Sequence, residues 1–196
     1  MRLDINIWRD RFKLLEECEY KSREYYIPNI SFEDGVALYT IILSIGYERD
    51  EFKVFEMGSG VGYSTLWILY ALEDIPSKYT ELTAIEMQYR YSLELMDILN
   101  KSGVKKTRYT VISDDSLKIL REYDSKLDFI FVDISKSEYP LVLEEAYRKT
   151  GDDGILTFHN AFFPPPPKEF IDEAERVGWR VYVIPTRLGI YLLRKD

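Results

Sequence analysis

The sequence predicts an α/β protein: a doubly wound, mostly parallel sheet with helices on both faces and a C-terminal antiparallel hairpin. Three observations carry this. From Lys53 onward, short apolar runs alternate with helical patterns of roughly ten residues, which is how βαβ units read. A glycine cluster, Gly58, Gly60 and Gly62, follows the first strand and opens a helix. The last two strands are joined only by Thr186, Arg187 and Leu188, a link too short for a parallel crossover.

Residues 3–26 read as a helix, with Ile7, Trp8, Leu14, Leu15 and Tyr25 apolar on a polar background. Pro28 pushes Ile27 out of helical space. Ser31 is then an N-cap, with Glu33 and Asp34 in the first turn of an apolar helix over 32–46. Strands are expected at 53–57, 81–86, 109–112, 127–133 and 154–158, and helices at 63–73, 88–102, 115–123, 139–149 and 168–178. Gly103 closes the helix over 88–102. The hairpin strands span 180–185 and 189–194. Pro164 to Pro167 form a stiff polyproline loop before the last helix.

Composition narrows the function. With 196 residues, 46% of them hydrophobic and 31% charged, the chain has a globular composition and the length of one domain. We expect a single unit over 1–196, with a helical segment at 1–46 covering the sites and a core at 47–196. No run approaches the roughly 20 apolar residues of a membrane span. The charged N-terminus has no signal-peptide core, and Cys18 is the only cysteine, so a cytoplasmic location is expected. The net charge of −8 argues against a long nucleic-acid partner, although Lys101 to Arg108 is a local basic stretch. A single Gln, Gln88, beside many Glu and Lys suits a heat-adapted source.

The segment from Val54 to Ser64, VFEMGSGVGYS, is the strongest chemical signal. Glycines let a ligand approach bare backbone, and the helix start beyond them favours negative charge. A nicotinamide fingerprint needs glycine at the sixth position, where this chain has Tyr63, so an NAD-dependent oxidoreductase is disfavoured. Glu86 closes the second strand, where a carboxylate accepts hydrogen bonds from both ribose hydroxyls. Asp114 and Asp115 follow the third strand, one suited to an adenine amino group and the other to capping the next helix.

These residues, with Phe131-Val-Asp-Ile-Ser-Lys136 and Tyr139-Pro140, resemble the class I S-adenosylmethionine-dependent methyltransferases. Within them the chain is similar to the cation-dependent O-methyltransferases related to catechol and caffeoyl-coenzyme A O-methyltransferases, from about Ile27 to Lys195. The resemblance implies a Rossmann-like core and S-adenosylmethionine bound by Glu56, Gly58, Ser59, Gly60, Gly62, Ser64, Glu86, Met87, Asp115, Ser116 and Asp133. It further implies Lys136 and Asp133 as catalytic residues, Lys136 as general base, and a Mg or Mn ion on Asp133, His159 and Asn160. Residues 27–35 resemble the lead-in that covers the cofactor, and residues 184–195 the closing hairpin.

His159 departs from the pattern, which has Asp there. It stands for a metal ligand, a base or substrate contact, or a satisfied structural histidine, and imidazole would shift metal preference toward manganese, iron or zinc. Phe162 and Phe163 either wall an aromatic substrate or anchor the last helix, and Trp8, Trp67 and Trp179 read as packing residues. The expected partner is a small hydroxylated acceptor with vicinal oxygens. A hydroxylated tRNA base and a cofactor-binding protein without catalysis are the alternatives. The apolar N-terminal helices would allow a homodimer.

Overall fold

The computed structural model describes residues 6–196. The first helix, α1, runs from Asn6 to Glu24, so the expected start at residues 3–5 lies outside the described residues. Helix α2 spans Phe32–Gly46. Ser31 caps it through a reciprocal box: its hydroxyl accepts from Asp34 N at 3.1 Å, and Asp34 Oδ2 accepts from Ser31 N at 2.8 Å.

Alternation then proceeds as the sequence predicts: β1 (Glu51–Met57), α3 (Tyr63–Asp74), β2 (Tyr79–Ile85), α4 (Tyr89–Lys101), β3 (Arg108–Ile112), α5 (Ser116–Glu122), β4 (Leu127–Val132), α6 (Tyr139–Lys149), β5 (Thr150–His159), α7 (Phe170–Val177), β6 (Trp179–Ile184) and β7 (Ile190–Lys195). A 3-10 turn, Lys136–Glu138, precedes α6. Strand β5 begins at Thr150 rather than Gly154, because Thr150 pairs with Leu127 across a register shift before regular pairing resumes at Phe129–Ile155.

The seven strands lie in the order β3-β2-β1-β4-β5-β7-β6. Strand β7 pairs antiparallel with both β5 and β6, while the pairs among β1 to β5 are parallel. The chain winds outward from β1 to β3 and returns to β4 on the other side of β1. The order therefore reverses between β1 and β4, and the connections leaving their carboxyl ends part there. Open α/β sheets bind ligands in that crevice.

Period-two alternation gives each strand two apolar faces. Val54, Phe129 and Phe131 enter one core with α1 to α4, and Phe55, Ile130 and Val132 enter the other with α5 to α7. Both faces are covered, as a doubly wound sheet requires. Trp67 and Trp179 are fully buried, and Trp8 packs its ring against Tyr39 and Trp67, so all three tryptophans pack. Arg11 fastens α1 to the core with two hydrogen bonds to Asp74, at 2.5 and 2.8 Å, and stacks over Trp8 and Tyr70. Among the described residues, no helix is long and apolar enough to cross a membrane.

Candidate active site

A cavity of about 550 Å³ occupies the crevice beyond the carboxyl ends of β1, β2, β3 and β4. That volume suits a nucleoside-sized ligand. Of the residues expected at a cofactor, Gly58, Ser59, Gly60, Ser64, Glu86, Met87, Asp115, Ser116 and Asp133 line it. Ile27, Pro28, Asn29 and Ile30 form part of its wall, in keeping with a covering lead-in.

Glycine is required at Gly58, where φ is +85° and a Cβ would stand 2.4 Å from the Asp133 carbonyl oxygen. The same holds at Gly62, where φ is +109° at the start of α3 and a Cβ would press Leu95. Gly62 sits behind the loop and does not line the cavity.

Glu56 also differs from expectation. It is fully buried beneath the loop, where its carboxylate accepts hydrogen bonds from Ser59 Oγ (2.9 Å), Ser64 Oγ (2.5 Å) and Thr65 Oγ1 (2.6 Å). Burial raises its pKa against the pull of the three hydroxyls. It shapes the glycine loop from below and does not reach the cavity.

Glu86 ties the loop to β2. Oε2 accepts from Gly60 N and Oε1 from Gln88 N, each at 2.9 Å. Asp115 caps α5 by accepting from Leu117 N at 2.8 Å and Lys118 N at 3.2 Å, and both Asp114 and Asp115 reach the cavity wall.

The other end of the cavity gathers Asp133, Lys136, His159 and Asn160. Lys136 Nζ donates to Asp133 Oδ1 at 2.7 Å and to the Ile134 carbonyl at 3.3 Å. His159 is 2% exposed and sits between two carboxylates. Its Nε2 lies 3.1 Å from Asp34 Oδ2. Its Nδ1 lies 3.2 Å from Asp133 Oδ2, an ion-pair distance without hydrogen-bond geometry, and makes no hydrogen bond among the described residues. Asn160, at φ +64°, donates its amide to the Phe163 carbonyl at 2.6 Å.

Sequence reasoning placed Asp34 only in the first turn of α2 and missed Thr186. In the fold, Asp34 is fully buried and accepts hydrogen bonds from Ser31 N, Ser31 Oγ, Thr186 Oγ1 and His159 Nε2. Burial alone raises its pKa, but these donors, His159 foremost, hold it down at about 2. Burial likewise works against a charged His159, yet Asp133 and Asp34 outweigh it and push the imidazole up to about 9. Asp133 is half-buried; desolvation raises its carboxyl, but His159 and Lys136 outweigh it and hold the group below the usual range.

This arrangement does not fit the Mg or Mn ion implied by resemblance. A metal needs converging lone pairs. Nε2 of His159 is committed to Asp34, and Nδ1 faces a carboxylate already paired with Lys136. Asp34 and Asp133 are already engaged by His159 and Lys136, so a divalent ion would have to displace one of these partners. Among the described residues, no three His, Cys, Asp or Glu side chains are grouped to hold a metal. Phe162 and Phe163 are exposed, so they do not anchor the last helix in the core, and Pro164 and Leu188 line the cavity.

Known proteins share this architecture. A methyltransferase from Geobacter sulfurreducens aligns with a TM-score of 0.79 at 21% identity, covering 93% of this chain and 88% of that one. The O-methyltransferase from Bacillus cereus in complex with SAH aligns at 0.75 and 17% identity, covering 94% and 91%. The O-methyltransferase TomG from Streptomyces achromogenes, in complex with SAM, aligns at 0.71 and 20% identity, covering 93% and 89%. At these identities the likeness is one of fold. In sequence, a Mycobacterium ulcerans protein named "Putative O-methyltransferase" is 28% identical over 109 residues, which are 55% of this chain and 47% of that protein. The chain thus spans about half the length of the curated relatives it matches. A family profile described as "Methyltransferase domain" matches residues 55–161, from within β1 to just past β5 and more than half of the chain. The chain belongs to this methyltransferase domain family.

Proposed function

We propose that the protein is an S-adenosylmethionine-dependent O-methyltransferase acting on a small hydroxylated, catechol-like acceptor. The observation that carries this reading is the continuity of one cavity from the glycine loop and Glu86 to Lys136 and His159. A donor seated at the first end has its reactive end directed at the second.

The residues present fit the donor. Glu86 offers carboxylate lone pairs at the end of β2, where ribose hydroxyls bind in such sheets. Gly58 and Gly60 expose backbone on the cavity wall. The wall carries Glu86, Asp114, Asp115, Asp133 and Glu138 against Lys136 and His159, a balance that favours a cationic sulfonium and disfavours polyanionic acceptors, tRNA among them. When bound, S-adenosylmethionine supplies an electrophilic methyl group.

The chain's residues supply the rest. Ile27 to Ile30 cover the donor and limit water. Lys136 Nζ is the group placed to take the proton of the acceptor hydroxyl. Asp133 holds that amine in place through its 2.7 Å contact. Positioning both reactants in one cavity removes much of the entropic barrier.

The test is incubation with S-adenosylmethionine and a panel of mono- and dihydroxylated aromatics, read by mass spectrometry. Single methylation of a vicinal diol supports the reading. Donor binding without any methylated product contradicts it.

A further inference from the structure

The histidine between Asp34 and Asp133 does more than displace a metal ligand. His159 lines the cavity, and its Nδ1 is a buried polar atom that lies 3.2 Å from Asp133 Oδ2 without making a hydrogen bond. Nε2 is tied at 3.1 Å to Asp34, which is itself fixed by the backbone and hydroxyl of Ser31 and by the Thr186 hydroxyl. The ring therefore cannot turn to satisfy Nδ1 elsewhere without breaking that bond. A fixed N–H without a hydrogen bond, beside Asp133 and on a wall it shares with Lys136, is suited to an oxygen of the acceptor that enters between them.

We propose that His159, positioned by Asp34, presents Nδ1–H to the acceptor oxygen, so that methyl transfer in this chain needs no divalent metal. The inference rests on the O-methyltransferase reading. The step balances without a further reactant. The acceptor oxygen forms a bond to the sulfonium methyl carbon, the carbon–sulfur bond breaks with its electron pair going to sulfur, and the hydroxyl proton passes to Lys136 Nζ. Nδ1–H keeps its proton throughout and offsets the negative charge that develops on oxygen. Asp34 is a positioning residue here, acting on the acceptor only through His159.

Manganese titration followed by electron paramagnetic resonance, on protein loaded with S-adenosylhomocysteine, tests this directly. Wild type is expected to leave the free-ion signal unchanged to millimolar concentration. His159→Asp, which sets a second carboxylate beside Asp133 and Asn160, is expected to bind at least about tenfold more tightly. Micromolar binding by wild type overturns the proposal. Should His159→Asp fail to fold, nitrogen-15 NMR of wild type is decisive, because His159 is the sole histidine. Its ring resonances are expected not to move on addition of Mg or EDTA, and a metal-dependent shift overturns the proposal. Methyl transfer should also survive EDTA. His159→Asn should lower kcat by about a hundredfold with S-adenosylhomocysteine affinity changed less than about threefold. Undiminished kcat overturns the catalytic role. Absence of S-adenosylhomocysteine binding defeats the methyltransferase reading instead and leaves the metal result standing.

Discussion

Asp34 Oδ2 lies 3.1 Å from His159 Nε2 although 125 positions separate them in the chain. The contact joins the cap of α2 to the end of β5. Ser31, which completes the cap, directly follows the segment that walls the cavity. Seating the covering segment and orienting the histidine are thus parts of one hydrogen-bonded unit.

That unit makes Asp34 costly to truncate. Asp34→Ala removes the capping box and leaves Ser31, Thr186 and His159 without their shared acceptor. We expect a loss of about 3 kcal/mol, from the cap and the stranded buried partners together. Asp34→Asn keeps one acceptor oxygen and should lose about half as much. Urea unfolding of the two variants checks the order, and equal losses would show that the charge matters more than the hydrogen bonds.

The same contact sets a pH dependence. The folded pKa of His159 is raised to about 9, above the ordinary 6.5. Its contribution is therefore complete below pH 6.5 and is lost as pH rises through 9. The full swing is on the order of 3 kcal/mol. Asp34, lowered to about 2, contributes above the ordinary carboxyl range and loses that contribution as pH falls toward 2. Stability measured from pH 6 to 9.5 should decline in wild type and stay flatter in His159→Asn. Parallel curves would contradict the assignment.

Glu56 touches three hydroxyls and no part of the cavity. Glu56→Ala should destabilise the fold by about 3 kcal/mol through the unsatisfied hydroxyls and the small void. It should also weaken S-adenosylhomocysteine binding about tenfold because the glycine loop loses its support. Calorimetry on the folded fraction separates the two, and intact affinity would mean that the loop holds its shape without Glu56.

At Gly58 an added methyl group meets the Asp133 carbonyl at 2.4 Å in a left-handed backbone. Gly58→Ala should cost about 2 kcal/mol or more and abolish measurable donor binding. A Gly103→Ala control, with the same sign of φ and open space around it, should cost only the backbone strain, about 1 kcal/mol.

Much of this was legible from local pattern. Alternating strands and helices, the glycine loop, Glu86 at the end of β2 and Asp115 at the start of α5 all follow from short-range spacing. The early start of β5 was not, because Thr150 pairs with Leu127 through an irregular register that no local period announces. Glu56 was placed at the ligand for its position in the motif. The hydroxyls of Ser59, Ser64 and Thr65 around the helix start were the available signal that it faces inward. Asp34 was legible only as an acidic residue in the first turn of α2; its part in the capping box and its bond to His159 depend on the folded geometry, the latter on how α2 lies across the sheet. The metal expectation came from resemblance alone, and the ion pairs that oppose it exist only once Asp34, the Asp133–Lys136 pair and His159 are brought together from three parts of the chain.

The central claim is that the cavity binds an adenosyl sulfonium donor. Calorimetric titration with S-adenosylhomocysteine, in wild type and in Glu86→Ala, tests it most directly. The account predicts micromolar binding by wild type, weakened at least about tenfold in the variant. No binding by a folded wild type would contradict it.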